Sequence, residues 1–174
     1  MTKRILVLAA ILLSMTGLAE AHPGHGVVGF ASGFVHPFSG LDHIIAMVAV
    51  GFIAATLGGR AIWAVPTAFM SMMVVGGVWS MAALPLPLVE VGILASVIIL
   101  SALAILRWNI SLYAAIALSG FFAVFHGFAH GAEMPKDAAG FTFAVGFVVA
   151  TALLHGAGLV IGILMAKSKA LPQA

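Results

Sequence analysis

The stretch Phe125-His126-Gly127-Phe128-Ala129-His130-Gly131-Ala132-Glu133 closes an otherwise apolar segment of the chain. On a helix, His126 and His130 lie one turn apart and Glu133 a further turn on, so two imidazoles and a carboxylate share one face. That is half of a site for a divalent transition metal such as Ni, Co, Zn or Cu, whereas Mg and Ca prefer oxygen ligands throughout. Ionisable groups are costly at the edge of a membrane segment, so each one found there is a functional candidate. A second set, His36-Pro37-Phe38-Ser39-Gly40-Leu41-Asp42-His43, can supply the other half. Its Asp42 either binds metal directly or orients an imidazole by accepting the second ring N–H.

Each set has a plainer alternative. In the first, the imidazoles hydrogen-bond to carbonyls near a helix end while Glu133 is solvated. In the second, a kinked helix has its freed backbone groups satisfied by Asp42 and Ser39. Two such sets in one short membrane chain favour the metal reading over both.

The elements that must position these groups follow from composition. Of 174 residues, 63% are hydrophobic and 7% charged, and the mean hydropathy is +1.24. A soluble domain of this size cannot hide so much apolar surface, which predicts an all-α integral membrane protein, a bundle of about five to six transmembrane helices. There is no Cys, which removes disulfides and thiolate metal sites and leaves His, carboxylate, Met and backbone oxygen as donors. The net charge of +2 rests on few groups and gives no basis for nucleic-acid binding.

In chain order, Lys3 and Arg4, the apolar run from Ile5 to Met15 and Ala19-Glu20-Ala21 have the layout of a cleavable signal peptide over residues 1–21. The single transmembrane domain, residues 22–174, would then open on His22-Pro23-Gly24-His25-Gly26 outside the membrane. His22 with a free α-amine, and His25 beside it, can capture a divalent metal there, or can equally be incidental polar residues. The apolar run Val27 to Leu57 is interrupted at His36-Pro37 and Gly40, so the first span is expected to kink or break there and to face protein or a polar cavity. Further spans are expected at about Ala61 to Ala83, Leu86 to Leu106, Ile110 to Ala132 and Ala138 to Ala166.

With five spans and an outer N-terminus, Arg60, Arg107, Lys167 and Lys169 fall on the cytoplasmic side, the positive-inside pattern. Trp63, Trp79 and Trp108 fall near span ends as interfacial aromatics. This topology puts His36, Asp42 and His43 in the outer half of the first span, level with His126, His130 and Glu133 near the outer end of the fourth. His155 stands alone in the fifth span, where it can relay protons or metal or bond a neighbouring helix. Met70, Met72 and Met73 read as packing rather than as thioether ligands. The pairs Gly29/Gly33, Gly127/Gly131 and Gly158/Gly162 permit close helix approach, although 20 glycines can produce such spacing by chance. Packing is favoured for Gly127/Gly131, which alternates with the two His.

At the two His-bearing stretches the sequence resembles the HupE/UreJ family of nickel and cobalt permeases. Both signatures stand intact, H-P-x-x-G-x-D-H at residues 36–43 and F-H-G-x-x-H-G-x-E at residues 125–133. The resemblance implies about six spans, a metal path formed by His36, Asp42, His43, His126, His130 and Glu133, and a link to hydrogenase or urease maturation. The function expected is therefore import of Ni²⁺ or Co²⁺ across the bacterial inner membrane by a secondary transporter rather than an enzyme, with no tightly bound cofactor. The absence of a G-x-x-x-x-G-K-[ST] motif argues against ATP hydrolysis by this chain. Two alternatives stand beside it: a membrane redox protein with haem held by His36 and His126, and a non-transporting metal-binding subunit that hands nickel to a maturation partner.

Overall fold

The computed structural model describes residues 29–170. The expected signal peptide and His22 and His25, read as a possible metal-capture pair, lie outside the described residues, as do the last four positions of the tail. Among the described residues the chain is helical, with no strand. A short helix α1 (Phe30–Val35) runs into a single 3-10 turn (His36–Phe38), and α2 (Leu41–Leu57) follows Gly40. Then come α3 (Ala61–Met81), α4 (Val89–Leu106), α5 (Leu112–Glu133) and α6 (Ala138–Ala170).

The break expected at His36-Pro37 is an elbow of 83° between residues 30–38 and 41–57. Pro37 enters at the start of the 3-10 turn, where its missing N–H is not needed. Gly40, in an extended conformation, starts α2. Backbone groups freed by the bend find local partners: the Ser39 hydroxyl donates to the His36 carbonyl, and the Asp42 carboxylate accepts from the His43 N–H at 2.8 Å. An acidic group in the first turn also offsets the positive end of the α2 dipole.

Four helices are long and apolar enough to cross a membrane, and the bent pair taken as one span makes five. The sixth crossing implied by the family resemblance is not among the described residues. One boundary differs from expectation by several residues: α4 begins at Val89 rather than Leu86, because Pro85 and Pro87 disfavour helix on their N-terminal side and Leu88 turns through a left-handed conformation. At its far end α6 continues past Ala166 to Ala170.

Polarity is distributed as lipid requires. Trp63, Tyr113, Phe121, Phe141, Leu153 and Leu164 project from the bundle, forming an apolar exterior that water would not tolerate. Inside, besides Met47, Val50, Phe69 and Leu100, lie His43, Ser96, Ser119, His126, Thr151 and His155. The most extensive contacts join α3 to α5 and α2 to α6. Glycine sets both approaches: a Cβ at Gly127 would collide with the backbone of Met73, and one at Gly158 with that of Val48. Both members of the Gly127/Gly131 and Gly158/Gly162 pairs lie against a neighbouring helix, and of the Gly29/Gly33 pair Gly33 does so, against the Phe143 backbone.

Candidate metal centre

The elbow and the end of α5 bring four imidazoles together. His36 lies in the 3-10 turn and His43 in the first turn of α2, so the sharp bend turns both toward the same neighbour. His126 and His130 come from α5, whose register is set by the close α3 contact at Gly127 and Gly131. Ser111 starts that helix, its hydroxyl accepting from the Ala114 N–H at 3.2 Å.

Two donor groups result, in each of which the ligand atoms lie within 4.8 Å of one another. The inner group is His43, His126 and His130, with His43 Nδ1 3.0 Å from His130 Nε2 and 3.3 Å from His126 Nδ1. The outer group is His36, His130 and Glu133. There His36 Nε2 is 2.9 Å from His130 Nδ1 and 3.1 Å from Glu133 Oε2, which is itself 3.7 Å from His130 Nδ1. Two nitrogens each about 2.0–2.1 Å from one ion stand roughly 2.9–3.4 Å apart at angles between square and tetrahedral. Both inner-group nitrogen spacings fall in that range.

Exposure falls along the site. The Glu133 side chain is 45% exposed, His36 29% and His130 21%, while His43 and His126 are 3% and 1% exposed as residues. One end of the cluster therefore meets the surroundings and the other is sealed in the bundle. Phe147 closes one side, its ring centroid 4.7 Å from that of His130 and 5.2 Å from that of His43. Phe69 closes the inner end, 5.9 Å from His126.

Of the residues expected to carry the chemistry, five converge: His36, His43, His126, His130 and Glu133. Asp42 stands outside both donor groups and is engaged with the α2 N-terminus. The proposed backbone role of Ser39 and Asp42 at the kink and the convergence of the two His are thus both present, on different residues. His155 is buried without a hydrogen-bond partner on either ring nitrogen. Its ring meets that of Phe69 in an edge contact at 5.3 Å.

One residue escaped the sequence reading. Ser96 of α4 is fully buried, its hydroxyl 2.7 Å from His126 Nε2 and 2.6 Å from the Ile93 carbonyl oxygen. A carbonyl only accepts, so the hydroxyl donates to Ile93 and accepts from His126. That fixes the N–H of His126 on Nε2 and leaves the Nδ1 lone pair facing the inner group. The available signal was a hydroxyl in the middle of a largely apolar span, and Ser101 gives the same signal.

The chain matches the family described as HupE / UreJ protein over residues 9–173. It belongs to the HupE/UreJ family. This family is associated with nickel and cobalt uptake, and its members are transporter-type proteins rather than enzymes. Similarity to the Protein HupE of Rhizobium leguminosarum bv. viciae reaches 44% identity over 147 residues, covering 84% of this chain and 77% of that relative. No solved structure matches.

Proposed function

We propose that this HupE/UreJ protein is a permease that imports Ni²⁺, with Co²⁺ as a second substrate, across the bacterial inner membrane, its mature N-terminus outside. The observation that carries the proposal is the pair of donor groups sharing His130, one partly exposed and one sealed. A hydrated dication reaching Glu133 and His36 exchanges some of its water for carboxylate and imidazole. The inner triad then offers nitrogen donors alone, which suit Ni²⁺ and Co²⁺ and strip the ion further. An inside-negative potential favours inward movement of a dication by about 4.6 kcal/mol per 100 mV, twice the value for one charge.

A haem held between His36 and His126 is the weaker reading. His130 contacts His36 directly, and both His43 and His130 belong with His126 in the inner group, so the two named His do not face each other across a gap. The accessory-subunit reading predicts binding without flux.

The experiment is uptake of labelled Ni²⁺ into proteoliposomes under an imposed inside-negative potential, comparing wild type with His130→Ala and with Co²⁺, Zn²⁺ or Cu²⁺ as competitors. Uptake by wild type alone supports the permease. Absence of flux from folded wild-type protein that still binds metal transfers the reading to an accessory subunit.

A further inference from the structure

His130 is a member of both donor groups, and it turns a different nitrogen to each. Its Nδ1 faces His36 and Glu133, while its Nε2 faces His43. A neutral imidazole has one N–H and one lone pair, and only the lone pair coordinates a metal. We propose that the two groups are overlapping seats for one divalent transition-metal cation, mutually exclusive because His130 can give its lone pair to only one of them at a time. The proposal rests on reading these groups as cation ligands and adds to it how many ions the site holds and in what order.

Which seat is complete depends on where the single ring proton sits. With an ion in the outer seat, Nδ1 coordinates and the proton is on Nε2. The inner seat is then reduced to two donors, and an N–H points toward the place an ion would take. With an ion in the inner seat, the proton is on Nδ1, directed at His36 Nε2 and Glu133 Oε2. The carboxylate can then accept from a metal-bound His, an arrangement that orients the ring and raises its basicity. His126 is already committed, since the Ser96 and Ile93 contacts hold its proton on Nε2. His43 can coordinate through Nδ1 with its proton on Nε2. What decides which seat is filled is therefore His130. Double occupancy would require a doubly deprotonated His130 bridging two like-charged ions in a poorly solvated site. Ions accordingly pass singly, and a second one waits until the first has left.

The test uses the full chain in lipid nanodiscs, with His22→Ala and His25→Ala introduced so that terminal chelation does not count. Co²⁺ is the probe, because its visible bands report ligand type and its ratio to protein is measured by elemental analysis after desalting. The expected result is one Co²⁺ per chain at saturation. Adding His36→Ala with Glu133→Gln should leave one ion with a nitrogen-ligand spectrum, and adding His43→Ala with His126→Ala should leave one ion with a different spectrum. Two Co²⁺ per chain before those additions would overturn the proposal. So would loss of all binding in either half-site variant that remains helical and monodisperse, since that would mean one composite site. Where a double variant fails to fold, the single variants His36→Ala and His126→Ala take its place: each should keep one ion with its own spectrum, and loss of all binding in either folded protein would overturn the proposal as a composite site. One ion per chain with no flux would leave the overlapping seats intact and remove the transport reading.

Discussion

The Ser96 hydroxyl stands 2.7 Å from Nε2 of His126, and it is the contact that leaves the other imidazole nitrogen free for metal. In Ser96→Ala the His126 Nε2–H loses its acceptor, and the proton can move to Nδ1, where it blocks coordination. Partners of this kind commonly alter metal affinity about 10–100-fold. Titration of purified protein with Ni²⁺ should show a loss in that range, largely recovered in Ser96→Thr. Unchanged affinity in Ser96→Ala would show that the hydroxyl does not control the ring.

Asp42 offers a contrast between charge and hydrogen bond. Its carboxylate accepts from the His43 N–H and lies outside both donor groups. Asp42→Asn keeps a carbonyl acceptor and should retain metal binding, whereas Asp42→Ala removes it at a cost of about 0.5–1.5 kcal/mol in stability, the scale for one hydrogen bond. Ni²⁺ affinity and thermal unfolding in the same detergent separate the two. Complete loss of binding in a folded Asp42→Asn protein would make the carboxylate a ligand instead.

Glycine contacts make a direct test of how α5 is held. A methyl at position 127 meets the Met73 backbone, and one at position 131 meets Gly77. Gly127→Ala should therefore destabilise the protein by about 1–3 kcal/mol through overpacking and displace His126 and His130 together. Gly156→Ala serves as the control, since a Cβ there meets nothing within 4 Å. Equal unfolding temperatures for the two variants would show that the α3–α5 approach is not limiting.

His155 should be separable from metal binding. Neither of its ring nitrogens has a hydrogen-bond partner, and it belongs to neither donor group. His155→Leu removes a buried unsatisfied polar group, a change that leaves stability equal or higher, and should bind Ni²⁺ as wild type does. Uptake lost while binding persists would give His155 a part in moving the ion rather than in holding it.

Flux through a dication permease should follow voltage steeply. With about 4.6 kcal/mol per 100 mV for two charges and about 1.4 kcal/mol per tenfold, equilibrium accumulation should rise roughly tenfold for each 30 mV of imposed potential. Proteoliposomes clamped at several potassium gradients test this. A slope near half that value would indicate that a single net charge crosses per ion.

Helix class and the elbow were legible because proline, glycine and a long apolar run constrain the backbone locally. His126, His130 and Glu133 were legible for a similar reason, as helical spacing fixes which side chains share a face. The pairing of His36 with Glu133 and of His43 with His126 depended on an 83° bend and on the register of α5 against α3, neither of which local spacing encodes. Asp42 shows the limit from the other side: His43 beside it joins a donor group, yet the Asp42 carboxylate is turned to the backbone. Ser96 was missed because its partner is thirty residues away on another helix.

The elbow also alters the barrier itself. Beyond it, α2 has 17 residues and so measures roughly 26 Å, shorter than the roughly 30 Å of an ordinary hydrocarbon core. A short helix pulls the surrounding lipid thinner or draws headgroups inward. The shortfall falls beside His36 and His43, at the end of α2 where the donor groups lie. Under the proposed import, an ion would enter at such a dimple of the bilayer, with part of the electrically resistive distance already behind it.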